Sequence, residues 1–323
     1  MAWFTRWFSS KKTVSIDRIG LRILFELLDF DFPMKILLTG ANGQLGHEIV
    51  DLASQLKINL QADTRQQLDI TQLEQIKHRM VEIKPDYIIN AAAYTAVDKA
   101  ETEQALAFAI NATGVKYLAE IAREFDIPLL HISTDYVFDG RKKTAYIEED
   151  DPQPLSVYGQ SKLAGEVFIR EIWHKHIILR VSWVFGSHGN NFVKSMIRLA
   201  KERSELQVVS DQRGAPTYAG DIAKSLLTII ECLHKGQTDW GTYHYTGTPM
   251  TNWYEFAKQI VDKAKIRHIL ALKTILPILA LEYPTIASRP YHSELSCNKI
   301  ERVFTISPNN WHEGLMKVIN NFL

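Results

Sequence analysis

The stretch "TGANGQLG", Thr39–Gly46, decides the fold. It follows "KILLT" (Lys35–Thr39), a short apolar run that reads as a parallel strand covered on both faces. It opens a segment of helical period, Asn42–Leu56. Gly40 and Gly43 let the backbone turn tightly and approach a pyrophosphate, and Gly46 lets the helix pack closely on the strand. The helix N-terminus adds unpaired N–H groups and the positive end of a dipole. Asn42, Gln44 and Leu45, interleaved with the glycines, are expected to touch the same nucleotide. A glycine-rich loop alone is also a plain tight turn. The strand before it and the helix after it favour dinucleotide binding.

Working outward, the same rhythm repeats. Leu60–Ala62 reads as a second strand. Thr71–Ile83 reads as a helix with Thr71 as cap and Glu74 three residues on. "YIIN" (Tyr87–Asn90) is a third strand, 103–125 a long alanine-rich helix, and "PLLHIS" (Pro128–Ser133) a fourth strand. A helix over 157–174 and the strand "IILRV" (Ile177–Val181) follow. Alternation with short links predicts an α/β fold, a Rossmann-type doubly wound parallel sheet with helices on both faces. After Trp183 the rhythm loosens, with helices near 191–201, 218–233 and 252–265. The expected organisation is a dinucleotide-binding domain over 34–185 and a smaller C-terminal, mainly substrate-binding lobe over 186–323. The helix 218–233 is expected to pack back on the first domain.

Composition narrows the function classes. The 323 residues are 46% hydrophobic and 23% charged, an ordinary globular balance. Lys plus Arg and Asp plus Glu number 37 each, so no net field draws nucleic acid. Two cysteines argue against a disulfide framework and suit a reducing cytoplasm. No apolar run reaches the length of a membrane span. Residues 1–33 carry Trp3, Phe4, Trp7 and Phe8 beside Arg6, Lys11 and Lys12. They read either as an amphipathic surface anchor or as sequence upstream of a true start at Met34, and the second is preferred.

Four further motifs carry chemistry. In "QADTRQQLDIT", an acid at the strand end would hold the ribose hydroxyls of NAD, and an arginine the extra phosphate of NADP. Asp63 and Arg65 are both present, so the choice stays open, with a lean to NADPH from Arg65. Asp69 and Ile70 follow, where such folds meet the adenine. In "NAAAYTAVDKAE", Ala91, Ala92 and Ala93 let a cofactor lie against the backbone, with Tyr94 beside it. Close helix packing is the alternative. In "STDYVFDG", Thr134 can offer its hydroxyl to a substrate oxygen, with Asp135 next to it, or can simply cap a turn.

The last motif, "YGQSK", sets Tyr158 and Lys162 four residues apart on one helix face. Bringing a tyrosine from a pKa near 10 to about 7 takes roughly 4 kcal/mol. One ammonium at about 4 Å and an effective dielectric of about 20 supplies roughly that much. Lys162 is therefore expected to lower the Tyr158 pKa and make it a working acid. The alternative is a surface aromatic–lysine contact.

In this order, the glycine loop, "NAAA", the strand-end Ser/Thr and Tyr-x-x-x-Lys resemble the extended short-chain dehydrogenase/reductases. "GANGQLG", "NAAAYTAVDKAE", "STDYVFDG", "YGQSKLAGE" and "DQRGAPTYAGDIA" together resemble the dTDP-4-dehydrorhamnose reductase family, from Met34 to the C-terminus. The resemblance implies reduction of the 4-keto group of dTDP-4-dehydro-β-L-rhamnose by NADPH or NADH, the last step to dTDP-β-L-rhamnose for glycans such as lipopolysaccharide O-antigen. It makes Tyr158 the proton donor, Lys162 the holder of the nicotinamide ribose, and Thr134 a hydrogen-bond donor to the keto oxygen. It sets Trp183 of "SWVFG" beside the sugar, where core packing is the alternative. Asn191, Gln212 and Arg289 are weaker candidates for substrate contact. Some members form homodimers through magnesium held by carboxylates. Glu48 matches one such position, but no full ligand set is found, so no metal is expected. The outline "SRP…S.L…K" at Ser288, Arg289, Pro290, Ser293, Leu295 and Lys299 also fits. Two rival readings remain. One is another nucleotide-sugar reductase or epimerase; a dehydratase would place Asp–Glu after Thr134, where this chain has Asp135 and Tyr136. The other is a non-catalytic, cofactor-binding regulatory subunit like that of methionine adenosyltransferase.

Overall fold

The structure, a computed structural model, describes residues 34–321. Both readings of residues 1–33 lie outside the described residues. Five strands form in the expected order: β1 (Lys35–Thr39), β2 (Asn59–Asp63), β3 (Tyr87–Asn90), β4 (Leu129–Thr134) and β5 (His176–Val181). β1 pairs with β2 on one side and with β3 on the other; β3 pairs with β4, and β4 with β5, all parallel. β3 and β5 are buried along their whole length, which is why they read as unbroken apolar runs.

A sixth strand, Gly241–His244, pairs parallel with β5 and closes the sheet at that edge. Sequence reading missed it, because "GTYH" has neither an apolar run nor alternation. The sheet therefore takes a strand from beyond residue 186. The helix Ala219–His234 packs against the helix Gln44–Leu56. The second half also holds a core of its own, built around Phe185, Val193, Ile197, Phe256, Ile260 and Trp311.

Two local expectations are corrected. The helix expected from Thr71 starts at Leu73 with Gln72 at its N-cap position and no side-chain cap. Thr71 instead donates its amide and hydroxyl to Asp69 Oδ1, at 2.9 and 2.8 Å, so the Asp69 carboxylate closes an Asx turn where Thr71 was expected to cap a helix. The long alanine-rich helix is interrupted: Gln104–Phe108, a π-helical turn Ala109–Thr113, then Gly114–Glu124. The widened turn holds Asn111, fully buried, whose amide bonds both polar groups of the Tyr94 backbone and Ser161 Oγ, at 2.8–3.0 Å. One asparagine thus clamps the loop after β3 to the helix that carries Tyr158.

The chain order of the strands reverses between β1 and β3. In open α/β sheets ligands bind where the order reverses, beyond the carboxyl ends of the strands. Gly40 and Ala91 stand at those two ends.

Candidate active site

A cleft of about 570 Å³ opens there, continuous in its lining with a smaller hollow of about 270 Å³. The glycine loop forms the wall between them. Gly40 has φ +74°, and a Cβ on it would lie 2.6 Å from the Ala92 amide nitrogen. A Cβ on Gly46 would lie 2.3 Å from Gly40 O, so close helix–strand packing excludes any side chain there. Gly46 accordingly shapes the loop from beneath and lines neither hollow. The helix Gln44–Leu56 has no side-chain cap and no acid in its first turn. Its first amides are left for an anion.

Most of the expected residues meet here. Asn42, Gly43, Gln44 and Leu45 line the larger cleft, as do Ala91 and Ala93. At its far end stand Thr134, Asp135, Tyr158, Lys162 and Trp183. Arg65, Asp69 and Ile70 line the smaller hollow, with Gly40 and Ala92. Burial opposes ionisation of Asp69, but the Thr71 amide and hydroxyl and Arg65 hold its pKa below the ordinary carboxylate range.

Five expected residues are used differently. Asp63 is fully buried and ion-paired to Arg79, so its carboxylate is not presented to a ribose. Tyr94 bonds Glu103 through its hydroxyl and lines neither hollow. Asn191 caps the helix Phe192–Glu202 by accepting from Lys194 N, while its amide donates to Gln44 Oε1 and Gly186 O. Its neighbours Gly189 and Asn190 face the cleft instead. Gln212 is buried outside the cleft lining. Arg289 donates to Asp98 Oδ2 at 2.8 Å, which ties the segment after Ala287 to the helix Val97–Ala100. Glu48, the candidate magnesium ligand, accepts from the Tyr218 hydroxyl at 2.9 Å. Among the described residues no group of three His, Cys, Asp or Glu is arranged to hold a metal ion.

The polar end of the cleft is built on β4 and the helix Val157–Ile172. Ser156 caps that helix by accepting from Gly159 N. A Cβ on Gly159 would lie 2.3 Å from Tyr136 O, so the glycine lets the helix start tightly against the turn after β4. That approach brings the Tyr158 ring to 5.5 Å from Tyr136, edge to face. Lys162 is buried, and its Nζ bonds Ile132 O at 2.6 Å and contacts His131 Nε2 at 3.1 Å. His131 is bound in turn to Asn90, and burial holds its pKa well below the usual histidine value. One turn beyond Lys162, Glu166 accepts from Ser133, Arg170 and both ends of Arg180.

The expected lowering of the Tyr158 pKa by Lys162 is not what this arrangement gives. Burial pushes the phenol up to about 12, with the Thr134 hydroxyl pulling the other way and Asp135 adding to the rise. Burial lowers Lys162 to about 8 against the attraction of Glu166. Desolvation of both groups outweighs their mutual influence. Burial also raises Asp135 to about 6, opposed by hydrogen bonds from Ser293 and Thr134. Its Oδ2 is buried without a hydrogen-bond partner among the described residues, an acceptor open to a hydroxyl donor.

The same end of the cleft carries an aromatic side with residues that sequence reading missed. Trp253 lies flat on Trp183, ring centroids 3.6 Å apart and planes 8° from parallel, and both face the cleft. Trp183 has φ +46°, rare for a bulky residue. A Cβ on Gly214 would lie 2.6 Å from the indole, so only a glycine leaves room for the ring there. Trp253 stands 70 residues from Trp183, at the first position of a helix, with no local signal tying it to the cleft. His131 and Asn111 were also missed; a histidine inside the buried run "PLLHIS" was the available clue.

A glycine loop at the strand-order reversal, with buried Thr134 and Lys162 and half-buried Tyr158 converging beside it, defines an extended short-chain dehydrogenase/reductase. Residues 34–323 match the family described as the RmlD substrate binding domain. A dTDP-4-dehydrorhamnose reductase of Aggregatibacter actinomycetemcomitans is 45% identical over 287 residues, covering 88% of this chain and 98% of that one. The namesake from Escherichia coli K12 is 40% identical, covering 89% and 97%. The crystal structure of the Bacillus anthracis reductase in complex with NADP superposes with a TM-score of 0.81 at 39% identity, covering 89% and 99%. The chain belongs to the dTDP-4-dehydrorhamnose reductase family.

Proposed function

We propose that this protein reduces the 4-keto group of dTDP-4-dehydro-β-L-rhamnose to give dTDP-β-L-rhamnose, with NADPH as reductant. The observation that carries the reading is the convergence of Thr134, Tyr158 and Lys162 at one end of a cleft whose other end is the glycine loop. The loop suits a pyrophosphate: Gly40 and Gly46 leave no room for side chains, and the helix behind it is uncapped. The smaller hollow would take the adenosine end, with Arg65 toward a 2′-phosphate. Bound NADPH supplies the hydride.

The chain's own residues have three tasks. Tyr158 O–H donates its proton to the oxygen that becomes the C4 hydroxyl. A phenol held up to about 12 by burial is protonated throughout the neutral range, as a donor must be. Lys162 would hold the nicotinamide ribose with the hydrogens not engaged by Ile132 O. Thr134 Oγ1, which donates to Asp135 Oδ1 at 3.1 Å, can turn to the keto oxygen. Asp135 Oδ2 then accepts from a sugar hydroxyl. The Trp183–Trp253 stack gives the apolar face of the sugar a flat surface and keeps water from it. The proposed site of action is the cytoplasm, in keeping with two free cysteines, Cys232 and Cys297. No described helix is long and apolar enough to cross a membrane. A homodimer is the assembly proposed by analogy with the family.

The test follows nicotinamide absorbance with purified protein and the keto-sugar made in situ. Sugar-dependent oxidation, faster with NADPH than with NADH, is expected. Tight cofactor binding without turnover would overturn the assignment in favour of a non-catalytic role.

A further inference from the structure

The carboxylate expected to face an adenosine ribose is committed elsewhere. Asp63 ends β2 directly beside the glycine loop: its carbonyl accepts from Ala41 N at 3.0 Å. Its side chain nevertheless lines neither hollow. Arg79, on the helix Leu73–Ile83, clasps it with two parallel bonds, Nε to Oδ2 at 2.7 Å and Nη2 to Oδ1 at 2.8 Å. Gln61 Nε2 donates to Oδ1 as well, at 2.7 Å. Fork-to-fork pairing fixes both charge and orientation. Glu82 holds the remaining arm of Arg79 at 2.7 Å. Two residues beyond Asp63, Arg65 behaves in the opposite way. It lines the smaller hollow, its side chain is 63% exposed, and its ion pair among the described residues is with the rim acid Asp69, at 3.3 Å.

We infer that Arg79 is a specificity-determining residue that acts at a distance, through Asp63. A free carboxylate at this strand end would hold the ribose hydroxyls of NADH and repel the 2′-phosphate of NADPH. Clasped by Arg79, it does neither, and the position passes to Arg65. Cofactor preference is thus set from a helix that touches no nucleotide. The inference rests on the reading of the smaller hollow as the adenosine end of a nicotinamide-cofactor site.

The experiment compares wild type with Arg79→Met. It measures kcat and KM for NADPH and NADH with saturating sugar, and binding of each cofactor alone by quenching of tryptophan fluorescence. Freeing Asp63 should lower the NADPH-over-NADH ratio of kcat/KM by about tenfold or more, the worth of one charged hydrogen bond or repulsion. The change should lie in KM and in binding, with kcat at saturating cofactor unmoved; a merely structural role would lower both cofactors' parameters together. An unmoved ratio in a folded Arg79→Met variant overturns the inference. A buried carboxylate left alone can also unfold a protein, so Asp63→Asn/Arg79→Met is measured in parallel. With no charge to free, that variant should keep the wild-type preference, and loss of preference in it would also overturn the inference. Failure of the wild type to bind either cofactor would instead overturn the underlying reading of the hollow. Binding of both with an unmoved ratio would remove only the role given to Arg79.

Discussion

The two walls of the cleft are built by different means. The wall from the first half is backbone and strand ends: the glycine loop, Ala91, Ala93 and Thr134, with Tyr158 and Lys162 on the helix packed over them. Its positions are set by the sheet register and by approaches too close for a side chain, such as Gly40 against Ala92. The other wall is side chains: Trp183, just after β5, and Trp253, stacked face to face across 70 residues of chain. The first wall is therefore suited to fixed chemistry, and the second to fitting a sugar. The contrast is broken if mutations on the two walls affect the same kinetic constants.

The largest effect is expected on the first wall. Tyr158→Phe removes the proton donor and leaves the ring and its contact with Tyr136 in place. Turnover should fall by about 10²–10⁴-fold, the usual worth of general acid catalysis, with cofactor affinity unchanged. A variant retaining most of its rate would end the acid role. Lys162 gives a pH-dependent version of the same contrast. Its pKa is lowered to about 8 from 10.5 by burial. Between those values the folded protein has released a proton that the unfolded chain still binds, so stability rises with pH across that window. Measured against Lys162→Met in thermal melts, the gain should approach about 3 kcal/mol. Cofactor affinity should fall over the same range as the ammonium is lost. If stability and affinity fell together, the buried-charge account of Lys162 would be wrong.

Gly40 tests how far the first wall depends on backbone alone. A Cβ there meets the Ala92 amide at 2.6 Å, and φ is +74°. Gly40→Ala should cost roughly 1–3 kcal/mol of stability and should weaken cofactor binding because β1 and β3 must part. Full retention of affinity would show that the loop tolerates a wider approach than its geometry implies.

The difference between the walls also explains what could be read in advance. Four of the five strands were legible because burial on both faces leaves apolar runs, whereas the edge strand β2 is only partly buried and shows as the short stretch Leu60–Ala62; the loop was legible because tight backbone approaches demand glycine. Thr134, Tyr158 and Lys162 were legible through spacing within single elements. What escaped depends on partners distant in sequence. The strand Gly241–His244 has no pattern of its own and forms because β5 leaves an edge open. Asp63 looked available until Arg79, 16 residues on, took it. Asn191 had the composition of a ligand but the position of a helix cap. Spacing anticipates that Tyr158 and Lys162 share one cleft but not the direction of the tyrosine's shift, because spacing reports charge proximity and is silent on desolvation.

The smallest of these effects should come from the second wall. Trp253→Ala leaves every residue of the proposed chemistry in place and takes away the ring on which Trp183 lies. Trp183 has φ +46°, an uncommon backbone conformation, and its indole lies on Trp253 and close to Gly214. Without the stack the indole can move, and the sugar loses its flat surface. KM for the nucleotide sugar should rise roughly two- to tenfold, in line with the roughly 0.5–1.5 kcal/mol that aromatic pairs contribute beyond burial. Cofactor affinity and turnover at saturating sugar should stay near wild type, and Trp253→Phe should recover part of the loss. Unchanged sugar KM in a folded Trp253→Ala would make the pair an element of core packing, the other reading that Trp183 carried from its place at the end of a strand. Equal losses in cofactor and sugar affinity would mean that the two walls move as one body, and the division of labour between them would fall.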